Sequence, residues 1–384
     1  MINHSRLNGV PYWRLSGFYF LFFVTVGIYL PFWSLYLKSI NFSAEQIGII
    51  SAIVVGTKIF SSYLWGWIVD HTAQRMRVIQ IASLFTALSF IAVLFIKDFW
   101  ALAFIIFLFA IFWSASLPQI EAATLSSLGE SSHAYTIIRL WGSVGFIAIV
   151  WGLGIVFESI SISYVPLILL ISLVLVWLLT LSIPEIPAEH HDDSHGSLKI
   201  ILSKPKVIAL LLACFLMLVS HGPYYTFYSI YLEDYGYSRS FIGQMWALGV
   251  IAEVVLFLFM HRLIVVFGLR KLLLLSLLSA TIRWLLIAYF VDHLVLLGIA
   301  QLLHAATFGI CHAVAIQYVH KYFRGKLQGR GQALYSSTSF GAGFAIGSLL
   351  TGYGWESLGA TTCFTIASVS AFLAMIIAWV FVKD

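Results

Sequence analysis

Residues 221–253 read HGPYYTFYSIYLEDYGYSRSFIGQMWALGVIAE, and residues 30–58, LPFWSLYLKSINFSAEQIGIISAIVVGTK, carry the same pattern 195 positions earlier. Phe32 falls on Phe227, Ser34 on Ser229, Tyr36 on Tyr231 and Leu37 on Leu232. Ser43 falls on Ser238, Ile47 on Ile242 and Gly48 on Gly243, and the register continues without a gap until Arg75 falls on Arg270. Each copy puts a charge deep in an apolar run, Lys58 in the first and Glu253 in the second. The chain is therefore one unit written twice, with opposite charges at matching places.

The solvent of this unit is a lipid bilayer. Of 384 residues, 61% are hydrophobic and 10% charged, with a mean hydropathy of +0.97. Soluble domains carry about 25% charged residues. A helix needs roughly 20 apolar residues to cross ~30 Å of hydrocarbon. Twelve such runs stand in the chain: 15–37, 46–69, 78–96, 99–122, 136–157 and 164–183, then 207–232, 241–261, 271–291, 294–319, 332–353 and 360–381. They are continuous rather than alternating, which selects helices over a barrel. The expected fold is an all-α integral membrane protein of twelve transmembrane helices, with six-helix bundles at 1–183 and 207–384.

Residues 184–206 form the one long polar stretch and read as a flexible cytoplasmic linker. Its HHDDSH run (190–195) reads as solvated chain, and no metal or other cofactor is expected. The first apolar run is too long for a cleavable signal and serves as the first span. Cys214, Cys311 and Cys363 lie inside apolar runs without C-x-x-C spacing, which disfavours disulfides and metal sites. The net charge of +5 sits in membrane-flanking loops, so it is a topology signal and not a nucleic-acid footprint. Arg14, Arg75, Arg77, Lys204, Lys206, Arg270, Arg324 and Arg330 fall on one side, as does Arg6; only Lys38, Lys97 and Arg239 fall on the other. The positive-inside rule then puts both termini in the cytoplasm.

Two six-helix halves with such a linker resemble the major facilitator superfamily. The loop after span two carries the resemblance: Gly66, Ile68, Asp70, Ala73 and Arg75 stand against the family pattern G-x-L-x-D-x-x-G-x-R, with Ala73 the main departure. Gly66, Asp70 and Arg75 are by that resemblance a cytoplasmic gate motif. HGPYYTFYSIYL, LGVIAEV, TIRW and QLLHAATFGICH look like the phenylpropionate permease branch, over most of the chain. The run Arg139-Leu-Trp-Gly-Ser-Val-Gly-Phe146 is similar to R-M-F-G-C-V-G-W of the lactose permease family. The resemblance implies a bacterial inner-membrane symporter, monomeric, with its substrate site between two halves related by an axis along the membrane normal. In the lactose permeases the arginine pairs with a span-four glutamate across the bound sugar, and the tryptophan stacks on it. Here Glu121 lies on span four, and Phe146 replaces the tryptophan, which argues against a sugar.

Ionised groups at mid-bilayer cost from ~3 to over 10 kcal/mol, so they face a cavity or a partner and imply work. Here they are Lys58, Glu121, Arg139, Glu253 and Arg283, with His221, His304 and His312. A carboxyl that alternates between water and a dry interior, beside a movable cation, can load and release a proton near neutral pH. Glu253 is the expected proton site, Arg283 its partner and His304 a relay; the competing account is a static buried pair that fixes packing. Glu121 and Arg139 are expected to hold each other until a substrate displaces the carboxylate, the competing account being a permanent bridge between spans four and five. Lys58 makes a third cation against two acids, which suits an anionic substrate, unless it bridges to Glu253. Tyr224, Tyr225 and Tyr228 stripe span seven with His221 and suit a ring-bearing ligand, although packing alone also explains them. His304 and His312 are eight apart on one face, joined by Gln301.

No G-x-x-x-x-G-K-[ST], H-E-x-x-H or G-x-S-x-G stands in the chain, so no nucleotide partner and no enzymatic activity are expected. The expected function is proton-coupled import of a small aromatic or hydrophobic carboxylate. The alternatives are a sugar or nucleoside symporter and, further off, a membrane sensor that binds without transporting.

Overall fold

The structure is a computed structural model; it describes residues 10–129, 134–186 and 198–383. The HHDDSH run and Arg6 lie outside the described residues. Among the described residues, twelve transmembrane helices form the fold. In the first half they are α1 (Tyr12–Ser39), α2 (Ala44–Thr72), α3 (Arg75–Leu94), α4 (Phe99–Leu128), α5 (Tyr135–Ser159) and α6 (Ile162–Thr180). The second half opens with α7 (Pro205–Asp234). The helical stretch Arg239–Tyr289 then turns at Gly268 (φ 74°, ψ 163°), which only glycine adopts readily, and so divides into α8 (239–267) and α9 (269–289). α10 (Leu294–Tyr322), α11 (328–358) and α12 (Ala360–Phe381) complete it. α4 runs six residues past the boundary at 122 expected from hydropathy, because its polar end still packs on the bundle.

The 195-residue register holds in atomic detail. Ser43 (φ −66°, ψ 161°) and Ser238 (φ −68°, ψ 156°) cap α2 and α8 alike, accepting the amides of Gln46 and Phe241 at 3.3 and 3.2 Å. The amides of Phe42 and Tyr237 donate to Leu37 and Leu232, each at 3.1 Å. Asn41 and Gly236 both take positive φ at the hairpin turn, and Ala73 and Gly268 both take positive φ with different ψ.

Several helices are not straight. α2 breaks at Thr57, just before Lys58, and α7 at His221, where Pro223 can donate no amide. α10 and α11 widen to π-helix over Ala305–Ile310 and Ser336–Gly343. Such segments insert an extra residue and are frequent at functional sites.

The two halves meet most tightly on the face opposite the termini, here called the far face. α2 crosses α11 where a methyl on Gly48 would sit 2.7 Å from Gly352 Cα. α5 crosses α8 in the same way at Gly154 and Gly243. Small residues let membrane helices approach this closely. Polar contacts sit above these crossings. Glu356 of α11 accepts the first amide of α2 (Ala44, 2.9 Å), and Glu158 of α5 accepts an amide of α8 (Ser240, 2.7 Å). Lys38 pairs with Asp234 and, at 3.6 Å, with Glu233; Arg239 reaches Glu233 at 3.2 Å.

Candidate functional site

The second bundle holds a chain of three ionisable groups. α8 and α10 come close because glycines face the functional side chains: Gly249 lies against His304, and Gly309 against Glu253. Glu253 Oε2 is 3.7 Å from His304 Nε2, and His304 Nδ1 is 3.1 Å from Arg283 Nη1. A guanidinium only donates, so Nδ1 must be the lone-pair nitrogen and the neutral ring carries its hydrogen on Nε2, toward Glu253. Protonating Nδ1 would set N–H against N–H. His304 is thus held in one tautomer, with Glu253 at its free end.

Arg283 is fully buried. Nη1 also donates to Thr307 Oγ1 at 3.0 Å, and the guanidinium carbon lies 4.2 Å from the Tyr224 ring centroid and 4.6 Å from that of Trp284. The two ring faces offset part of the desolvation cost. Nε and Nη2 have no hydrogen-bond partner among the described residues. A buried cation with unused donors is poised for an anion. In this conformation His304 stands between Glu253 and Arg283, where sequence reasoning expected a direct pair.

The first bundle holds the second cluster. Arg139, in the second turn of α5, lies 3.9 Å from Glu121 of α4, with the two side chains 30% and 36% exposed. Tyr135 donates to Glu121 at 3.3 Å, and the Arg139 guanidinium lies 4.0 Å over the Phe23 ring. The pair is loose and open. It lies nearer the face of the termini than Arg283 does.

The remaining expected residues divide. His304, Phe308 and His312 stack in parallel down α10, at 5.5 and 6.3 Å, and half-buried Tyr225 lies 6.4 Å from Phe308. Tyr228 is sealed, taking an amide hydrogen from Gln301 at 2.6 Å, while Tyr224 donates to the Gln301 carbonyl oxygen at 2.9 Å. Phe146 is buried against Gly27 of α1. Lys58 is exposed and has no hydrogen-bond or ion-pair partner among the described residues, so the bridge to Glu253 is not made. His221 is buried at the α7 break. In the gate motif, Gly66 faces open space, Asp70 is exposed, and Arg75 opens α3 beside the amides of Met76 and Arg77, which Glu185 accepts at 2.9 and 3.3 Å. Thr307 and Phe23 were missed from sequence. Thr307 stands one helical turn from His304, a spacing that pointed to it; nothing marked Phe23 among so many phenylalanines.

Comparison with known proteins bears on this arrangement. A family model described as "MFS_1 like family" matches residues 12–366. The chain is 30% identical over 368 residues to the "Probable 3-phenylpropionic acid transporter" of Escherichia coli (strain K12), covering 93% of this chain and 94% of that one. It is 25% identical over 370 residues to the maltose permease of Geobacillus stearothermophilus, covering 94% and 92%. The crystal structure of a mutant of the nucleoside transporter NupG has the same fold, with a TM-score of 0.86 at 17% identity, over 97% of this chain and 100% of that one.

Proposed function

The chain belongs to the MFS_1 like family, and from that premise we propose that it is a proton symporter that imports a small aromatic or hydrophobic carboxylate by alternating access. The observation that carries this reading is the Glu253–His304–Arg283 chain, in which a tautomer-locked imidazole separates a carboxyl from a cation with spare donors. Glu253 takes a proton when the far face is open. The halves rock, the other side opens, and the proton leaves. The carboxylate that remains is attracted to the unused Arg283 donors, a charge change that biases the return. The face of the termini is cytoplasmic on the loop charges, so a sealed far face closes this conformation toward the outside.

The carboxylate of the cargo is assigned to Arg139, where Glu121 is held at 3.9 Å and can give way. The ring is assigned to half-buried aromatic faces, Phe23 on one side of the seam, Tyr225 and Phe308 on the other. Lys58, unpaired among the described residues, adds to the positive field that draws an anion in. His312 borders the ring site. The relative named for 3-phenylpropionic acid supports the cargo class. A second reading, a sugar or nucleoside symporter, is favoured by the maltose permease relative. Against it, Phe146 is buried on Gly27 and presents no face for a sugar ring to stack on.

The test is transport in proteoliposomes. Arylpropionate, maltose and uridine are offered in turn, with internal pH recorded. The proposal expects arylpropionate to bring protons in with it, and Glu253→Gln to abolish accumulation while leaving arylpropionate exchange. Accumulation of arylpropionate that ignores both pH and Glu253→Gln rejects the proton reading; proton-linked uptake of maltose or uridine alone rejects the cargo.

A further inference from the structure

A cavity of about 10 Å³ lies in the second bundle between α7, α10 and α11. His221, Thr307, Cys311, His312 and Tyr335 are on its wall. His221 is 1% exposed. Its Nδ1 is 2.8 Å from the Met217 carbonyl oxygen, which can only accept, so Nδ1 carries the hydrogen and Nε2 presents a lone pair. Nε2 has no partner. A buried acceptor without a donor is costly. A cavity needs roughly 10–15 Å³ to hold one water, and the water needs at least two polar partners.

Thr307 supplies the second partner. Its Oγ1 accepts from Arg283 at 3.0 Å and donates to the His304 carbonyl at 3.2 Å, which leaves one lone pair free. His312 and Tyr335, 3.2 Å apart, add polar atoms to the wall. We infer that this cavity binds a single water molecule that donates to His221 Nε2 and to Thr307 Oγ1, making His221 a positioning residue for Arg283. The inference rests on the proton-site reading above. It also gives the α7 break a purpose, because His221 sits at that break and the water ties it to the proton site. The ionisable groups around His221 are Tyr225 on α7, Arg283 on α9, His304, Cys311 and His312 on α10 and Tyr335 on α11.

Two measurements test it. A structure that resolves waters is expected to show one within hydrogen-bond distance of both His221 Nε2 and Thr307 Oγ1; a dry cavity overturns the inference. The second compares His221→Gln, which places an amide oxygen near Nε2, with His221→Asn, which keeps only the inner polar position. Both are assayed with radiolabelled arylpropionate, with Glu253→Gln as the control. His221→Asn is expected to lower proton-driven accumulation by roughly tenfold, as for a lost hydrogen bond in a charged network, and to shift its pH profile while exchange persists. His221→Gln is expected to retain most of both. Wild-type behaviour of His221→Asn, or loss in both variants, overturns the role. Should Glu253→Gln accumulate normally, the underlying proton reading falls instead, and the water site stands or falls on the first measurement.

Discussion

Lys38 and Glu233 hold equivalent places in the two halves, 195 positions apart, and they meet each other at 3.6 Å. Equivalent residues related by a twofold can touch only beside the axis, so this pair marks where the pseudo-axis leaves the far face. Asp234 and Arg239 extend it into a four-residue network. Half-exposed pairs of this kind are worth about 0.2–1 kcal/mol each. Lys38→Ala should therefore move the gating equilibrium a few-fold toward an open far face. The rate at which an impermeant maleimide labels a cysteine at Tyr29, in a background without the native cysteines, reads this directly. High salt should have a similar effect in the unsubstituted network and little in Lys38→Ala.

The glycine crossing below that network sets a harder limit. With Gly352 Cα 2.7 Å from where a methyl would stand, Gly48→Val cannot close the α2–α11 seam without moving backbone. The expected variant binds arylpropionate from the far side and does not deliver it. Binding by equilibrium dialysis and uptake into proteoliposomes, taken together, check this; normal uptake would show that the seam can give.

Ala73 occupies the family's glycine position and holds φ 53°, ψ 18°, while its repeat partner Gly268 holds φ 74°, ψ 163°. A left-handed non-glycine residue costs about 1–2 kcal/mol, partly recovered through lower unfolded-state entropy. Ala73→Gly is expected to raise the thermal unfolding midpoint by a small amount. Gly268→Ala should lower it further than that, because its conformation is essentially restricted to glycine. Scanning fluorimetry in detergent is sufficient for both.

Arg283 binds His304 and Thr307 through one nitrogen and keeps two others unpartnered among the described residues. A lysine ammonium is a single point with no planar fork. Arg283→Lys should therefore reduce proton-driven accumulation by at least about tenfold even though charge is kept. Accumulation assays at two external pH values would show it, and a near-normal result would mean that charge alone suffices.

Much of the fold is legible in the residues themselves. The repeat register predicts matching hairpins, and the caps at Ser43 and Ser238 obey it to a tenth of an ångström in hydrogen-bond length. Burial cost and the family resemblance together single out Glu253, Arg283 and His304, which lie in one chain. Rotation about a helix axis is not legible in this way. Spacing says that two residues share a face but not which neighbour that face meets. Hence Phe146 points at Gly27 and Tyr228 into the core, and His304 comes between Glu253 and Arg283. The π-segment at Ala305–Ile310 adds to this, since it changes the angle between His304 and the rest of α10 without any mark in composition.

The carboxylates of Glu158 and Glu356 sit in a crossed arrangement: each half lends one to the start of a helix in the other. Tilting one half away lengthens both links together, so neither can act as a pivot for the other. Such a door has no hinged edge to leave ajar. On the proposed reading it parts along its whole width or stays shut, and leaves ions no half-open crack through which to leak.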